Sequence, residues 1–427
     1  MAKCYHWEVK DTSSNQTCLR WPVAAVFMAV HIFIFTVGFS MGFYEDYSFN
    51  AFGIHYIYAD NILNGQLPYL DFPVEYPPLG LVFMVIPRLF AETLSGYTGW
   101  FIAEMLLFDL AALLVLGVFS ARLKIPPWKT LAVFTLLLLA VGPIITVRYD
   151  MVAALLSLGA VYAFARGRYT LAWVALGLGV MTKLYPVILV PLFLIWHFHG
   201  GQYRRMFKGG AVFAATVLAS AAVPLLIDPG GFIDSFAYHA ARPLQLESLY
   251  ASILLMAESQ GWVTAAQELS FGSINLISPE ADFFASASMW FMAAGLGVIY
   301  LAWERLAMKE ALNRELAPGY ALAAFSAAAV TVFLVFNKVL SPQFIIWLYP
   351  MIPLMWRNGP LPVAMFAAVG FMTAYIYPLH YDDLQLGDGA ARWVLLGRNV
   401  LLLVMAPLLL RCVWRGGKCV DFTKTGG

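Results

Sequence analysis

The feature that most constrains this chain is a succession of apolar runs spread along almost its whole length. A spanning helix needs about 20 apolar residues, fewer when neighbouring helices bury it. Candidate spans fall at 21–43, 100–121, 127–146, 150–165, 169–182, 183–197, 209–227, 284–302, 317–336, 343–356, 361–378 and 393–412. Of all residues 61% are hydrophobic and 12% charged. A soluble chain carries about a quarter charged residues, so this one lacks the surface to be soluble. The same numbers exclude disordered and fibrous classes. The expected fold is all-α: one polytopic membrane domain over residues 1–427 with about twelve transmembrane helices. The run 79–94 is short, broken by Pro87 and charged at Arg88, and reads as a partial or re-entrant helix. The first run starts at Trp21 without a small-residue cleavage site after it, so it is expected to be a span and not a cleaved signal.

The placement of Lys and Arg sets the expected orientation. Basic residues gather at Arg122/Lys124/Lys129, Arg166/Arg168, Arg204/Arg205/Lys208, Arg305/Lys309/Arg314, Arg357 and Arg411/Arg415/Lys418/Lys424. Twelve spans without 79–94 put all of these on one side, expected to be cytoplasmic, together with both termini and the four cysteines Cys4, Cys18, Cys412 and Cys419. The opposite side is acidic. Residues 44–78 hold Glu45, Asp46, Asp60, Asp71 and Glu75 with no Lys or Arg, and 379–391 hold three aspartates with none. A second large outer segment, 228–283, holds His239, Arg242 and Glu247. A net charge of +1 gives no reason to expect nucleic acid.

The chemistry is expected on the acidic side. Residues 51–64 read as an amphipathic helix lying along the interface and ended by Gly65; Pro68, Pro73, Pro77 and Pro78 then stiffen the backbone. Glu45 and Asp46 follow the first span directly, where a partly desolvated carboxylate can act as a general base. Asp60, Asp71 and Glu75 offer the hard oxygen atoms a divalent cation takes; their spacing fits no calcium loop, so no ligand set is assigned and a divalent cation stays open as a cofactor. Charged residues next to spans are costly and often functional. Arg148, Lys183, Lys338 and Arg242 all fall at outer ends of spans, where together they suit an anion such as a lipid phosphate. His239 is a further acid–base or phosphate-donating candidate. A P-loop, GxGxxG, GxSxG or HExxH motif does not occur, so nucleotide use and zinc hydrolysis have no support and no cofactor is assigned.

Six pieces of sequence, in order, carry a family resemblance: E45-D-Y47, G65-Q-L-P-Y69, E75-Y-P-P-L79, K183-L-Y-P186, Y238-H-A-A-R-P-L-Q-L-E-S248 and F336-N-K-V-L-S-P-Q-F-I-I-W347. The set resembles GT-C class glycosyltransferases that use polyprenyl-phosphate sugars. It is most similar to glycosyltransferase family 87, with its bacterial phosphatidylinositol mannoside mannosyltransferases, and to the catalytic subunit of GPI mannosyltransferase I. The resemblance implies an active site in the first outer loop. There, a sugar, expected to be mannose, passes with inversion from a polyprenyl-phosphate donor to a hydroxyl of a glycolipid or glycan acceptor. It also implies a first-loop aspartate as general base, which Asp46 matches. The relatives often show Asp-x-Asp or Asp-x-x-x-Tyr where this chain has Glu45-Asp46-Tyr47, which leaves Glu45 as an alternative and Asp60 as the next candidate. Arg242, Lys183, Lys338 and Arg148 are the expected donor-phosphate ligands. Asp60, Tyr69, Glu75, Tyr76 and Gln343 are the expected substrate contacts.

The acids and cations of the outer side suit the same mechanism: a base takes the acceptor proton while fixed cations stabilise the departing phosphate. The expected location is the plasma membrane of a prokaryote, with the site on the outer face. A transporter or flippase of lipid-linked sugars is the main alternative. It predicts internal repeats and polar residues at the bilayer midplane. A polysaccharide polymerase or ligase of similar architecture is the third reading.

Overall fold

The computed structural model describes residues 18–39, 45–313 and 319–414. Within them the chain is almost entirely helical, as a bilayer demands: with no water to bond, the backbone must satisfy its own N–H and C=O groups. Helix α1, Trp21–Phe33, continues as a π-turn to Gly38. Helix α2, Glu45–Leu63, contains the expected amphipathic stretch and starts six residues earlier than its sequence pattern suggests. Helix α3, Pro78–Arg88, begins on a proline, whose missing N–H costs nothing in a first turn. At 11 residues it is about 16 Å long, roughly half a hydrocarbon core, in keeping with a partial helix.

Helix α4 is Leu94–Arg122, α5 Pro127–Val141, α6 the short turn Ile144–Val147, α7 Asp150–Ala165 and α8 Tyr169–Thr182. A 3-10 turn, Tyr185–Leu189, leads into α9, Val190–His199, followed by α10, Tyr203–Ile227, and α11, Pro229–Ala241. After strand β1, Leu244–Gln245, come α12, Leu249–Ser259, and the hairpin of β2, Ala266–Ser270, and β3, Ser273–Ile277. The remaining helices are α13, Pro279–Asn313, α14, Gly319–Phe336, α15, Leu361–Ala374, the short α16, Tyr381–Leu386, and α17, Gly389–Trp414.

Among the described residues seven helices are long and apolar enough to cross a membrane: Trp21–Gly38, α4, α10, Pro279–Lys309, α14, Leu361–Leu379 and Gly389–Arg411. Shorter apolar helices, among them α5, α7 and α8, fill the positions of other expected spans. The polytopic all-α fold is therefore as expected, but twelve crossings are not shown. The clearest departure is 343–356. It forms two 3-10 turns, Pro342–Trp347 and Ile352–Asn358, because Pro342, Pro350 and Pro353 remove donors and block a continuous helix. Ile345, Ile346, Leu348, Tyr349 and Met351 of this stretch are wholly buried, and irregular backbone at membrane depth is tolerated where protein covers it.

Helix α14 is the centre of the bundle. Its spanning window is 78% buried, against 11% for α10 and α13, which turn Leu218, Val223, Phe283 and Trp290 outward. Its run of alanines lets α13 and α17 approach closely. One polar pair crosses the core: His31 of α1 meets Asp109 of α4 and also Thr135 of α5.

Residues 228–283 fold onto the end of the bundle. Strand β3 lies between β1 and β2, antiparallel to both, with Leu244 opposite Leu276 and Ala266 opposite Ile277. A second small core of Leu244, Leu246, Tyr250, Leu255, Leu276 and Leu395 ties this segment to α17. The tie is reinforced by Arg398 and Asn399 of α17, which donate to the backbone carbonyls of Glu247 and Ser248.

Candidate active site

The segment between α2 and α3 is held rigid by its own sequence. Tyr69 N–H donates to the Phe72 carbonyl, and its phenol donates to the Tyr76 carbonyl at 2.7 Å. Asp71 accepts from the Leu67 N–H at 2.7 Å and closes the turn. The first turn of α11 presses on this segment: a Cβ on Gly231 would lie 2.1 Å from the Tyr69 carbonyl oxygen, so only glycine allows the approach. The result is a fixed placement of Glu75. Its carboxylate accepts from Tyr58 of α2, and its carbonyl accepts from His239 Nε2 of α11 at 2.8 Å. A carbonyl can only accept, so the proton of His239 sits on Nε2 and Nδ1 carries the lone pair. Burial, first of all, lowers the His239 pKa and keeps the ring neutral. Burial, and then the charge of Glu75, raises the Tyr58 pKa, which keeps its phenol a donor.

Cations face this carboxylate. Arg242 caps the C-terminal end of α11, donates from Nη2 to Ser273 Oγ of β3 at 2.8 Å, and lies within electrostatic reach of Glu75, Tyr76, Tyr238 and Glu247. Lys338, just after α14, donates to the Ala240 carbonyl at 2.7 Å. Burial and the neighbouring Arg242 charge both lower the Lys338 pKa. Burial lowers that of Arg242 as well. Among the described residues neither cation forms an ion pair. Two adjacent cations of this kind are unfavourable alone and favourable around an anion. Lys183, at the C-terminal end of α8, differs: both Asp150 oxygens hold it at 2.7 Å, and Trp347 donates to the same carboxylate at 2.6 Å. The rings of Tyr149, Phe344 and Trp347 surround its ammonium at 4.9, 5.7 and 5.8 Å. Arg148, beside Asp150, lies near Lys183 and Tyr76, which joins the two groups into one charged face.

Residues 74–274 match glycosyltransferase family 87. The chain is also 23% identical over 366 residues to GPI mannosyltransferase 1 of Kluyveromyces lactis, covering 79% of this chain and 83% of that protein. The chain is a membrane glycosyltransferase. Both similarities support a mannosyltransferase family of the GT-C type, the class its six sequence motifs resemble. The family 87 match takes in Glu75, Tyr76, Arg148, Lys183, His239 and Arg242 of this glycosyltransferase; Asp46, Lys338 and Gln343 lie outside it.

Not every expected site residue of the glycosyltransferase joins this cluster. Glu45 and Asp46 occupy the first turn of α2, and their side chains lie outside the described residues. Asp60 is engaged by Arg88 of α3, with Nη2 at 2.7 Å and Nε at 3.1 Å, and by Asn64. Tyr69 is buried and serves the loop backbone. Gln343 is partly buried next to Phe344, one of the rings around Lys183. Among the described residues there is no group of three or more His, Cys, Asp or Glu that could hold a metal ion. Tyr58, Asp150 and Ser273, and Tyr238 beyond its place in a motif, were not among the residues expected at the site; the structure gives Asp150 to Lys183. Such pairings join residues 17 to 33 positions apart, which helical or strand periodicity does not mark.

Proposed function

We propose that the glycosyltransferase moves a mannosyl residue, with inversion, from a polyprenyl-phosphate donor to a hydroxyl of a lipid or glycan acceptor, on the outer face of the membrane. The observation that carries this reading is the pair Arg242 and Lys338, adjacent and without ion-pair partners among the described residues, with Arg242 within electrostatic reach of Glu75 of the 45–77 segment. An acceptor oxygen attacks the anomeric carbon and forms the new glycosidic bond. The bond from that carbon to the phosphate oxygen breaks, and the acceptor proton passes to a carboxylate. The leaving lipid phosphate gains negative charge, and fixed cations that meet it there lower the barrier. Lys183 and Arg148 extend the positive face; Tyr76 and Gln343 line the sugar side.

Asp46 is the proposed base, because it follows the first span and opens α2 as the matching aspartate does in the class the motifs resemble. Geometry favours Glu75 as a second reading. Tyr58 donates to its carboxylate, Arg242 lies within electrostatic reach of it and His239 holds its backbone carbonyl, whereas twelve residues of helix put the Asp46 backbone about 18 Å along α2 from Tyr58. Purified protein given radiolabelled polyprenyl-phosphate mannose and membrane lipid extract decides between them. Transfer that is lost in Asp46→Asn and retained in Glu75→Gln assigns Asp46, and the opposite pattern assigns Glu75. No transfer by the wild-type protein from mannose or any other polyprenyl-phosphate sugar overturns the proposal.

A further inference from the structure

A second polar site lies at the other end of α8. Lys183 follows the last residue of this 14-residue helix, and Arg168 precedes its first, so the two are about 22 Å apart along the axis. At the Arg168 end is a cavity of about 420 Å³ whose lining includes Arg168, Tyr169, Trp173, Arg205, Lys208 and Gly209. Its lining has three cations and no carboxylate, and among the described residues none of the three forms an ion pair. Arg205 lies over the Tyr169 ring at 5.2 Å, which fixes its guanidinium at the cavity.

Two further features make this more than a basic surface. The first turn of α8 opens here, and its N-cap residue, Arg168, supplies no side-chain acceptor, so the N–H groups and the positive end of the helix dipole face the cavity. Trp173 is wholly buried, yet its indole Nε1–H has no hydrogen-bond partner. That nitrogen lies in the seam with α10, against Gly209, where a Cβ would come within 1.9 Å of it; both residues line the cavity. A buried donor left unbonded is rare, and an anionic oxygen at the floor of the cavity would satisfy it.

We propose that this cavity binds a phosphate group, held by Arg168, Arg205 and Lys208, by the N-terminus of α8 and by Trp173 Nε1–H. Its volume suits a small phosphorylated headgroup. Leu171 is 53% exposed and Phe207 71%, apolar neighbours fitted to an acyl chain. The group can thus arrive on a lipid or free, with the same chemistry at the phosphate. This site stands apart from the candidate active site and does not depend on the proposed reaction.

The test uses full-length protein in a neutral detergent and measures binding by calorimetric titration of three probes: inorganic phosphate, glycerol 3-phosphate and dioctanoyl phosphatidylglycerol. The expected result is 1:1 binding of at least one probe, weakened roughly 30-fold or more in R205A/K208A and roughly tenfold in W173F, which keeps the ring and removes the donor. Arg168→Gln, a single change at an exposed residue, serves as the charge variant if the double variant does not fold. Tight binding of phosphatidylglycerol alone names a lipid headgroup, and comparable binding of inorganic phosphate names a free anion; either supports the site. Absence of binding by all three probes, or binding that the charge variant and W173F leave unchanged, overturns it.

Discussion

Arg242→Gln isolates the role of the cationic pair. Arg242 is held by Ser273 on one side and lies beside Lys338 on the other, so the substitution removes one of two neighbouring charges without emptying the space. Two consequences follow. The folded protein loses a like-charge repulsion with Lys338 together with attractions to Glu75 and Glu247, so its thermal transition is expected to change little, and the Lys338 pKa moves up toward its ordinary value. Transfer, by contrast, loses a donor aimed at charge that develops on the leaving phosphate. Removing one such donor costs about 100- to 1000-fold in kcat, roughly 2.7–4 kcal/mol. The assay is release of label from radiolabelled polyprenyl-phosphate mannose under donor saturation, with a melting curve of the same preparation alongside. A drop in kcat of that size with a little-changed transition temperature is the expected result. A kcat within threefold of wild type refutes the reasoning, as does a loss of activity that only tracks a loss of folded protein.

Other perturbations follow from the same geometry. Burial raises the Glu247 pKa to about 7 from an ordinary 4.5, so the folded state holds a proton that the unfolded state releases. Stability is therefore full below about pH 4.5 and falls as pH rises toward 7. Melting curves from pH 4.5 to 7.5 are expected to show this slope, and Glu247→Gln to flatten it. Asp150→Asn strands the Lys183 ammonium among aromatic rings and is expected to cost about 3–5 kcal/mol of stability, read by chemical denaturation in detergent. Tyr58→Phe removes the one side-chain donor described on the Glu75 carboxylate while keeping the ring; if Glu75 takes part in transfer, kcat falls about tenfold with little change in melting temperature.

The bundle was legible in the sequence because the bilayer leaves few choices: a long apolar run must satisfy its own backbone, and most of the expected runs are helical. The partial helix at 78–88 was legible from Pro87 and Arg88. What failed was 343–356, where apolar composition alone suggested a span and the prolines overrode it. Part of the charged cluster was legible from where its residues fall along the chain. Arg242, Lys338, Lys183, Arg148, His239 and Glu75 do come together, because each sits at the same end of its helix or in a segment folded onto that end. Which of them pair could not be read. That Asp150 takes Lys183, that Asp60 takes Arg88 and that Tyr58 holds Glu75 depend on helix rotation and loop path, which tertiary packing sets. The cavity at the Arg168 end was passed over because its cations looked like ordinary residues of a basic membrane flank. An unbonded indole inside it leaves no trace in sequence.

The central claim is that a carboxylate of the 45–77 segment removes the acceptor proton opposite cations brought by later helices. Single-turnover transfer from polyprenyl-phosphate mannose, measured for wild type, Asp46→Asn and Glu75→Gln with melting curves to match, tests it most directly. The account predicts that one of the two folded variants loses about a thousandfold or more in rate, within the range expected for removal of a general base. Rates within tenfold of wild type for both folded variants would contradict it.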